Sequence, residues 1–410
     1  MNSLKQFLFF FDGFIAYLLD KLLVIFPRNK NKWVYGASGG FRDNPKYFFY
    51  KAVNEHPEIN SIWIGHIKKD VLYLQSRGFK AYYWLSIRGL YHTITAGVAI
   101  CDHSLKNINN FLLGGVYYVN LWHGSSVKRV RWQNPDLYVK KFNLSSKDEM
   151  RSSFTFRMKL YQVLFKGPDF CLVPSTIQAK DFFAPMMDIP LSHCIVGVFP
   201  RSQLLIEGKK AASDFICKYE PKETKEFVEK LKKYNKSYIY MPTWRDGKSD
   251  FMSLSGIDWN LLNACLKKRN ELLILKFHPY TKLNIESVSN FSNLMIYPRK
   301  SDVYTVLPFI DCLITDYSSI YTDFLIMNKE IILFVFDYDD YVKNSNDLGN
   351  YDKYFLGKRA NNFTQLLDII NSNEDCHVPK EQYSFLMNFF WDNNTHKIDI
   401  VEEVKKRISI

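Results

Sequence analysis

What this 410-residue sequence lacks narrows its class before any motif is read. Its seven cysteines, Cys101, Cys171, Cys194, Cys217, Cys265, Cys312 and Cys376, lie far apart. None forms a CxxC pair and no Cys/His set has zinc-finger spacing, which points to a reducing compartment. Several fall in predicted strands, where cysteine acts as a small apolar residue. No GxxxxGK[ST] occurs, so a P-loop NTPase is excluded. No clear GxGxxG follows a strand, and "GASGG" (36–40) reads as a turn. Repeats and low-complexity tracts are absent. No RRM, KH or helix-turn-helix signature accompanies the basic, aromatic stretch "KRVRWQNPDLYVKKF" (128–142), so nucleic acid is not expected as a partner.

At the apolar N-terminus no uncharged run approaches the roughly 18–20 residues that a membrane-spanning helix needs. The apolar N-terminus "LKQFLFFFDGFIAYLLDKLLVIFP" is interrupted by Asp12, Asp20 and Lys21. No small-residue cleavage site follows it, so a secretory signal is not expected. Arg28, Lys30 and Lys32 come directly after Pro27. The combination predicts a helix lying in a membrane interface, followed by a basic segment for anionic head groups. The alternative is a helix packed on the protein's own core.

What is present is apolar and basic. Apolar residues make up 47% of the chain, enough to bury sizeable cores, and the formal net charge is +12. That excess favours an anionic partner: a phosphorylated substrate, anionic lipid or nucleic acid. Short apolar runs recur with helix-length segments between them: "WVYG", "SIWIG", "AYYWL", "GVAIC", "VYYVNLW", "DFCLVP" and "CIVGVF", then "SYIYMPTW", "LLILKF", "LMIYP", "DCLIT" and "IILFVF". Continuous rather than alternating runs belong to strands covered on both faces, hence to parallel sheets. Two such series predict an α/β chain of two doubly wound, Rossmann-type domains facing a cleft. The expected division is 1–30 for the membrane-associating helix and basic segment, 31–205 for an N-terminal domain, 206–385 for a C-terminal domain and 386–410 for terminal helices.

In open parallel sheets, ligands bind at the carboxyl ends of the strands. After "VYYVNLW" come His123, Gly124, Ser125, Ser126 and Lys128; after "SYIYMP", Thr243, Trp244, Arg245 and Asp246. "LLILKF" is followed by His278 and Pro279, and "DCLI" by Thr315, Asp316, Tyr317, Ser318 and Ser319. A lone histidine is more often structural, and two serines before a helix more often form an N-cap. Together the residues fit phosphate chemistry. A helix start offers free N–H groups, arginine a planar cationic fork, and imidazole a general acid or base near neutrality.

"LWHGSSVKRV", "YMPTWRD", "KFHPY" and "DVYTVLPFIDCLITDYSSIYTDFLI", in that order, resemble the motifs of the CDP-glycerol glycerophosphotransferase family, the teichoic-acid and capsule polyol-phosphate transferases. "FRDNPKYFFYKA" resembles the family's early DNP segment, and the resemblance runs from about Gly36 to Tyr341. It implies a GT-B-like fold and an enzyme at the cytoplasmic face of the bacterial membrane. Such an enzyme moves a polyol phosphate from a CDP-activated donor, CDP-glycerol or CDP-ribitol, to an acceptor hydroxyl and releases CMP. It implies His123 as general base, His278 and Arg245 on the phosphoryl and CMP groups, and Ser318 and Ser319 on the donor pyrophosphate. By the same resemblance Thr243, Thr315, Asp316 and Asp323 belong to the donor site, and Gly124, Ser125 and Lys128 to the acceptor side. The acceptor would be lipid-linked or a glycan; no tightly bound cofactor and no metal ligand is expected.

The chain departs from the family pattern in three places. Ser125 and Ser126 stand for Thr-Pro in HGTPLK, Lys276 stands for arginine in RxHP, and "VFPRSQ" keeps only Pro200 and Arg201 of GYPRND. The acidic "FDYDDY" (336–341) resembles a metal-binding carboxylate cluster and is read as a loop near the donor. His103 ends a strand and is read as structural. Two other functions compete: a GT-B glycosyltransferase using a nucleotide sugar, and an inactive membrane-bound assembly factor.

Overall fold

The apolar runs form strands because their β-branched and aromatic side chains fit a pleated surface buried on both sides. The computed structural model describes residues 2–125, 167–245, 250–278, 281, 290–299, 301–344, 351–372, 374–392 and 398–409. The chain divides into two units: Met1–His123, Val130–Arg201 and Asn394–Ile410 form the first, and Gly124–Arg129 with Ser202–Asn393 form the second.

Among the described residues the first unit holds seven strands: β1 (Asn29–Gly36), β2 (Asn60–Gly65), β3 (Ala81–Tyr83), β4 (Ala96–Cys101), β5 (Tyr117–Asn120), β6 (Phe170–Val173) and β7 (Cys194–Val196). They form one sheet in the order β3-β2-β1-β4-β5-β6-β7. All its pairings are parallel, with Trp33 opposite Val98 where β1 meets β4. Every residue of β4 is buried, and Val34, Ile62, Ile64, Ala99 and Cys101 share one core cluster.

The second unit repeats the plan with β8 (Lys236–Tyr240), β9 (Glu271–Leu275), β10 (Leu294–Ile296), β11 (Cys312–Thr315), β12 (Glu330–Phe334) and β13 (Lys358–Ala360). Their order is β10-β9-β8-β11-β12-β13, again parallel throughout. In each sheet the strand order reverses once, between β1 and β4 and between β8 and β11. That reversal opens a crevice at the carboxyl ends of the strands.

The chain crosses from the first unit to the second inside the helical stretch Pro200–Tyr219, which is broken at Gly208. The tail does not stay together as the sequence predicts. Helix Lys380–Trp391 packs in the second unit, where the Trp391 indole donates to the Thr322 carbonyl at 2.9 Å. Helix Ile400–Arg407 returns to the first unit, burying Ile400, Val401 and Val404. Lys405 on that helix pairs with Glu58 at 2.6 Å.

Helix α1 (Asn2–Leu23) precedes β1. It comes so close to the turn after residue 113 that a side chain at Gly114 would sit 2.3 Å from the Asp20 carbonyl. Ala16 and Leu23 are buried, whereas Phe11, Phe14, Leu18 and Leu22 are exposed. Those four follow i, i+3, i+7 and i+11 spacing and so form one apolar stripe. Among the described residues no helix is long and apolar enough to cross a membrane.

The basic segment expected to meet anionic head groups has partners within the first unit. Residues from Asn29 onward already belong to β1. Arg28 donates to the carbonyls of Ala96 and Leu112 at 2.9 and 3.1 Å. Lys30 donates to the Ile408 carbonyl, and buried Lys32 donates to the Thr95 hydroxyl at 2.8 Å. These cations are engaged inside the unit because a strand's first residues and a helix end sit beside them.

Candidate active site

In the first unit, chemistry gathers where β5 ends. Trp122 adopts φ 51° and Gly124 φ 138°, on either side of His123. For tryptophan that conformation is strained, and for a residue at the Gly124 position only glycine adopts it freely. Hydrogen bonds hold the turn in place. The Asn120 carboxamide oxygen accepts the Trp122 N–H at 2.8 Å, and Asn44 donates to the Leu121 and Trp122 carbonyls at 3.2 and 2.7 Å. Arg201, 4% exposed, donates to the His123 carbonyl at 2.8 Å and pairs with Asp43 at 2.7 Å. The Arg201 N–H also donates to Asn44 at 3.2 Å.

Asp43, Asn44 and Arg201 were not assigned a role by sequence reasoning. The signal was there in "DNP" and "PR", which stand in the family's own motifs. Only folding shows that these two segments hold the turn that carries the predicted base.

The His123 ring is bordered by two other rings. Its centroid lies 4.1 Å from that of His103, with planes 3° apart, and 4.3 Å from that of Trp122. Burial pushes its pKa down to about 3, and charge on His103 pushes the same way; Asp43 opposes, Arg201 lowers it further, and the Asp102 backbone raises it. The ring is therefore neutral at pH 7, the state a general base requires. Its Nδ1 is buried without a hydrogen-bond partner. Buried Ser125 likewise has an unpartnered hydroxyl. Lys128 lies outside the described residues.

In the second unit the corresponding crevice is built on a buried ion cluster. Asp316, fully buried, accepts the Thr243 N–H and hydroxyl at 2.8 and 2.7 Å and the Arg245 guanidinium at 2.6 Å. The other edge of the Arg245 fork is bidentate to Asp337, at 3.0 and 2.9 Å. Phe251, Tyr341 and Tyr317 ring the guanidinium, with centroids 4.5, 5.1 and 5.2 Å away. Burial alone lowers the Arg245 pKa, but Asp316 and Asp337 outweigh it, so the net direction is up. At 3% exposure the fork is committed to two carboxylates, and this places Arg245 in the frame of the crevice. Asp337 comes from "FDYDDY", so that cluster supplies an arginine partner.

Other predicted donor residues are buried as well. Thr315 donates to the Met241 carbonyl at 2.8 Å. Asp323 accepts from Ser202 and Tyr304 at 3.1 and 2.7 Å. Lys276, standing for the family's arginine, spends its ammonium on the carbonyls of Pro298 and Arg299, at 2.9 and 2.7 Å.

What faces outward is a smaller set. Ser318 is half-buried and Ser319 exposed at the start of helix Ile320–Leu325. The Ser319 side chain does not cap that helix, so the N-cap explanation fails for it. His278 is exposed, with its ring 5.2 Å from that of half-buried Trp244. Two hydroxyls, an imidazole and an indole at the ends of three neighbouring strands can bind an anionic, aromatic ligand. Among the described residues, metal-capable groups of carboxylates and histidine occur elsewhere, at Glu55, His56, Glu58, Asp399 and Glu402 and at Glu330, Asp375 and His377.

A family model described as CDP-Glycerol:Poly(glycerophosphate) glycerophosphotransferase matches residues 18–396. Teichoic acid ribitol-phosphate polymerase TarK of Staphylococcus aureus is 26% identical over 206 residues, 48% of this chain and 38% of that protein. The teichoic acid poly(glycerol phosphate) polymerase of Bacillus spizizenii is 20% identical over 411 residues, covering 94% of this chain and 95% of that one. The chain thus matches only 38% and 34% of the length of two S. aureus ribitol-phosphate polymerases, but nearly all of the B. spizizenii protein. The solved structure of the wall teichoic acid polymerase TagF superposes with a TM-score of 0.67 at 17% identity, covering 100% of this chain and 97% of that one. At that identity the likeness speaks for the fold.

Proposed function

The chain belongs to the CDP-glycerol:poly(glycerophosphate) glycerophosphotransferase family, and on that footing we propose that it transfers a polyol phosphate from a CDP-polyol to an acceptor hydroxyl. Glycerol phosphate is the first candidate and ribitol phosphate the second. The observation that carries this reading is His123: a neutral imidazole on a strained turn that Arg201 holds at the His123 carbonyl and Asn44 at the Trp122 carbonyl.

The acceptor oxygen attacks the phosphorus that bears the polyol. The bond from that phosphorus to the bridging oxygen of CMP breaks, and CMP leaves with the electron pair. The hydroxyl proton passes to His123. An approaching diphosphate raises the basicity of this ring, because an opposite charge favours imidazolium. Ser318, Ser319 and His278 serve the diphosphate and the CMP leaving group, while Thr243, Arg245, Thr315, Asp316 and Asp323 keep that surface in shape. Gly124 and Ser125 belong to the acceptor side. The acceptor is lipid-linked or a cell-surface glycan, and the apolar stripe of α1 rests on the cytoplasmic face of the membrane.

Incubation with CDP-glycerol, CDP-ribitol and nucleotide sugars tests the reading. CMP released from a CDP-polyol in the presence of acceptor supports it. Release of a nucleoside diphosphate from a nucleotide sugar would replace it with glycosyl transfer.

A further inference from the structure

We infer that His103 is a positioning residue for His123, its flat ring fixing the plane in which the His123 ring lies. This rests on the reading of His123 as the base. His123 gains from such a device because its Nδ1 has no hydrogen-bond partner, and among the described residues the Asp102 backbone is the only polar group that, besides packing, restrains the ring. The task falls to what the ring touches, and the closest parallel surface is His103, at 4.1 Å and 3°.

His103 is itself held from both ends. Its Nδ1 lies 3.2 Å from the Asp102 carboxylate, and Asp102 is 1% exposed and accepts the Ser38 N–H at 3.0 Å. This contact with a fixed carboxylate favours one rotation of the His103 ring. Its carbonyl accepts from the Tyr118 hydroxyl at 3.3 Å and from the Asn120 carboxamide at 3.2 Å. Asn120 also holds the Trp122 N–H, so one side chain ties together the backbones that carry the stacked rings. The His103 side chain is 44% exposed, too open for a residue whose task is to fill the core. Its flat contact is with His123.

The test uses the full chain with His103→Leu and His103→Phe. Leucine removes the flat ring; phenylalanine restores it without the imidazole nitrogens. Spectra of ¹³C-histidine protein read the ring-current shift of His123, which His123→Gln identifies among nine histidines. Turnover is measured as CMP release. A misplaced reacting group costs on the order of 10²-fold, so His103→Leu is expected to lower kcat by about 10- to 100-fold, leave the donor KM unchanged and lose the ring-current shift. His103→Phe is expected to recover both. A wild-type spectrum without that shift overturns the inference. So does a folded His103→Leu variant with wild-type kcat, or a His103→Phe variant no better than His103→Leu. If His123→Ala instead kept its turnover, the base assignment would fall, while the ring-current shift would still report the stack.

Discussion

The two units place a carboxylate at the same point of the same topology and use it for opposite ends. In each, the segment after the first central strand donates a backbone N–H to the aspartate that follows its neighbour: Ser38 to Asp102 at 3.0 Å after β1 and β4, and Thr243 to Asp316 at 2.8 Å after β8 and β11. Asp316 goes on to bind a buried arginine, which binds Asp337 in turn. Asp102 goes on to bind a half-exposed imidazole that stacks on a second one. The strand order fixes where the carboxylate stands. The next side chain decides whether the crevice is braced by buried charge or lined by stacked imidazole rings.

The largest effect is expected where charge is buried. Arg245→Ala leaves Asp316 and Asp337 without their cation, and breaking a buried pair costs about 3–5 kcal/mol. Asp102→Asn keeps an acceptor for the Ser38 N–H and buries no orphan charge, so its cost is expected to be far smaller. Urea unfolding of the two variants measures the contrast. Equal losses would break the comparison, because Arg245 would then be no more structural than Asp102.

His123→Ala should leave unfolding unchanged and lower CMP release by about 10²–10⁴-fold, the usual contribution of a general base. The wild-type kcat/KM profile carries a second expectation. A base whose pKa is about 3 in the free enzyme stays neutral as pH falls from 8 to 5. The acid limb of the profile should then begin below pH 5, whereas an unperturbed histidine would begin to lose activity near 6.5. Full turnover in His123→Ala would remove the first unit's claim to the chemistry.

Much of this was legible in the sequence, for reasons that can be located. Continuous apolar runs announced twelve of the strands, because parallel strands buried on two faces need them. β13 was not announced: its three residues are Lys358, Arg359 and Ala360, two of them exposed cations on an edge strand. The division of the chain fell near Arg201, close to the charged segment that signalled it. The return of Ile400–Arg407 to the first unit was not legible, since a short amphipathic helix does not state which core it covers. Motif order pointed to His123, Ser318 and Ser319, but gave no way to separate residues that face outward from Arg245, Thr315 and Asp316, which are buried. That distinction depends on partners distant in sequence, such as Asp337 for Arg245.

Ser318 and Ser319 sharpen the comparison from the second unit. Replacing both with Ala should weaken binding of CDP-glycerol, since a hydrogen bond to a charged group is worth about 1.5–3 kcal/mol. The loss of at least one such bond corresponds to a rise of about 10-fold or more in Kd. Acceptor affinity should not change, and stability should hold because Ser319 caps nothing. Calorimetry with CDP-glycerol is the measurement, and unchanged donor affinity would move the diphosphate site elsewhere.

The smallest effect on the fold, and the one that asks most of the first unit, concerns α1. Its stripe of Phe11, Phe14, Leu18 and Leu22 is about half exposed, so replacing Phe14 and Leu18 with Ser should change stability by no more than about 1 kcal/mol each. Flotation with anionic vesicles should nevertheless fall. Arg28 and Lys32 are drawn into the unit by its own carbonyls and hydroxyl, so the salt-dependent attraction of this segment is reduced and falls mainly to exposed Lys30. The binding that remains is apolar, at about 25 cal/mol per Å² buried, and should resist high salt. A lipid-linked acceptor should then show a raised KM in the Phe14→Ser, Leu18→Ser variant, while a soluble acceptor analogue does not. If flotation persists unchanged, or disappears at high salt in the wild type, the stripe is not the membrane contact, and charge elsewhere on the chain provides it.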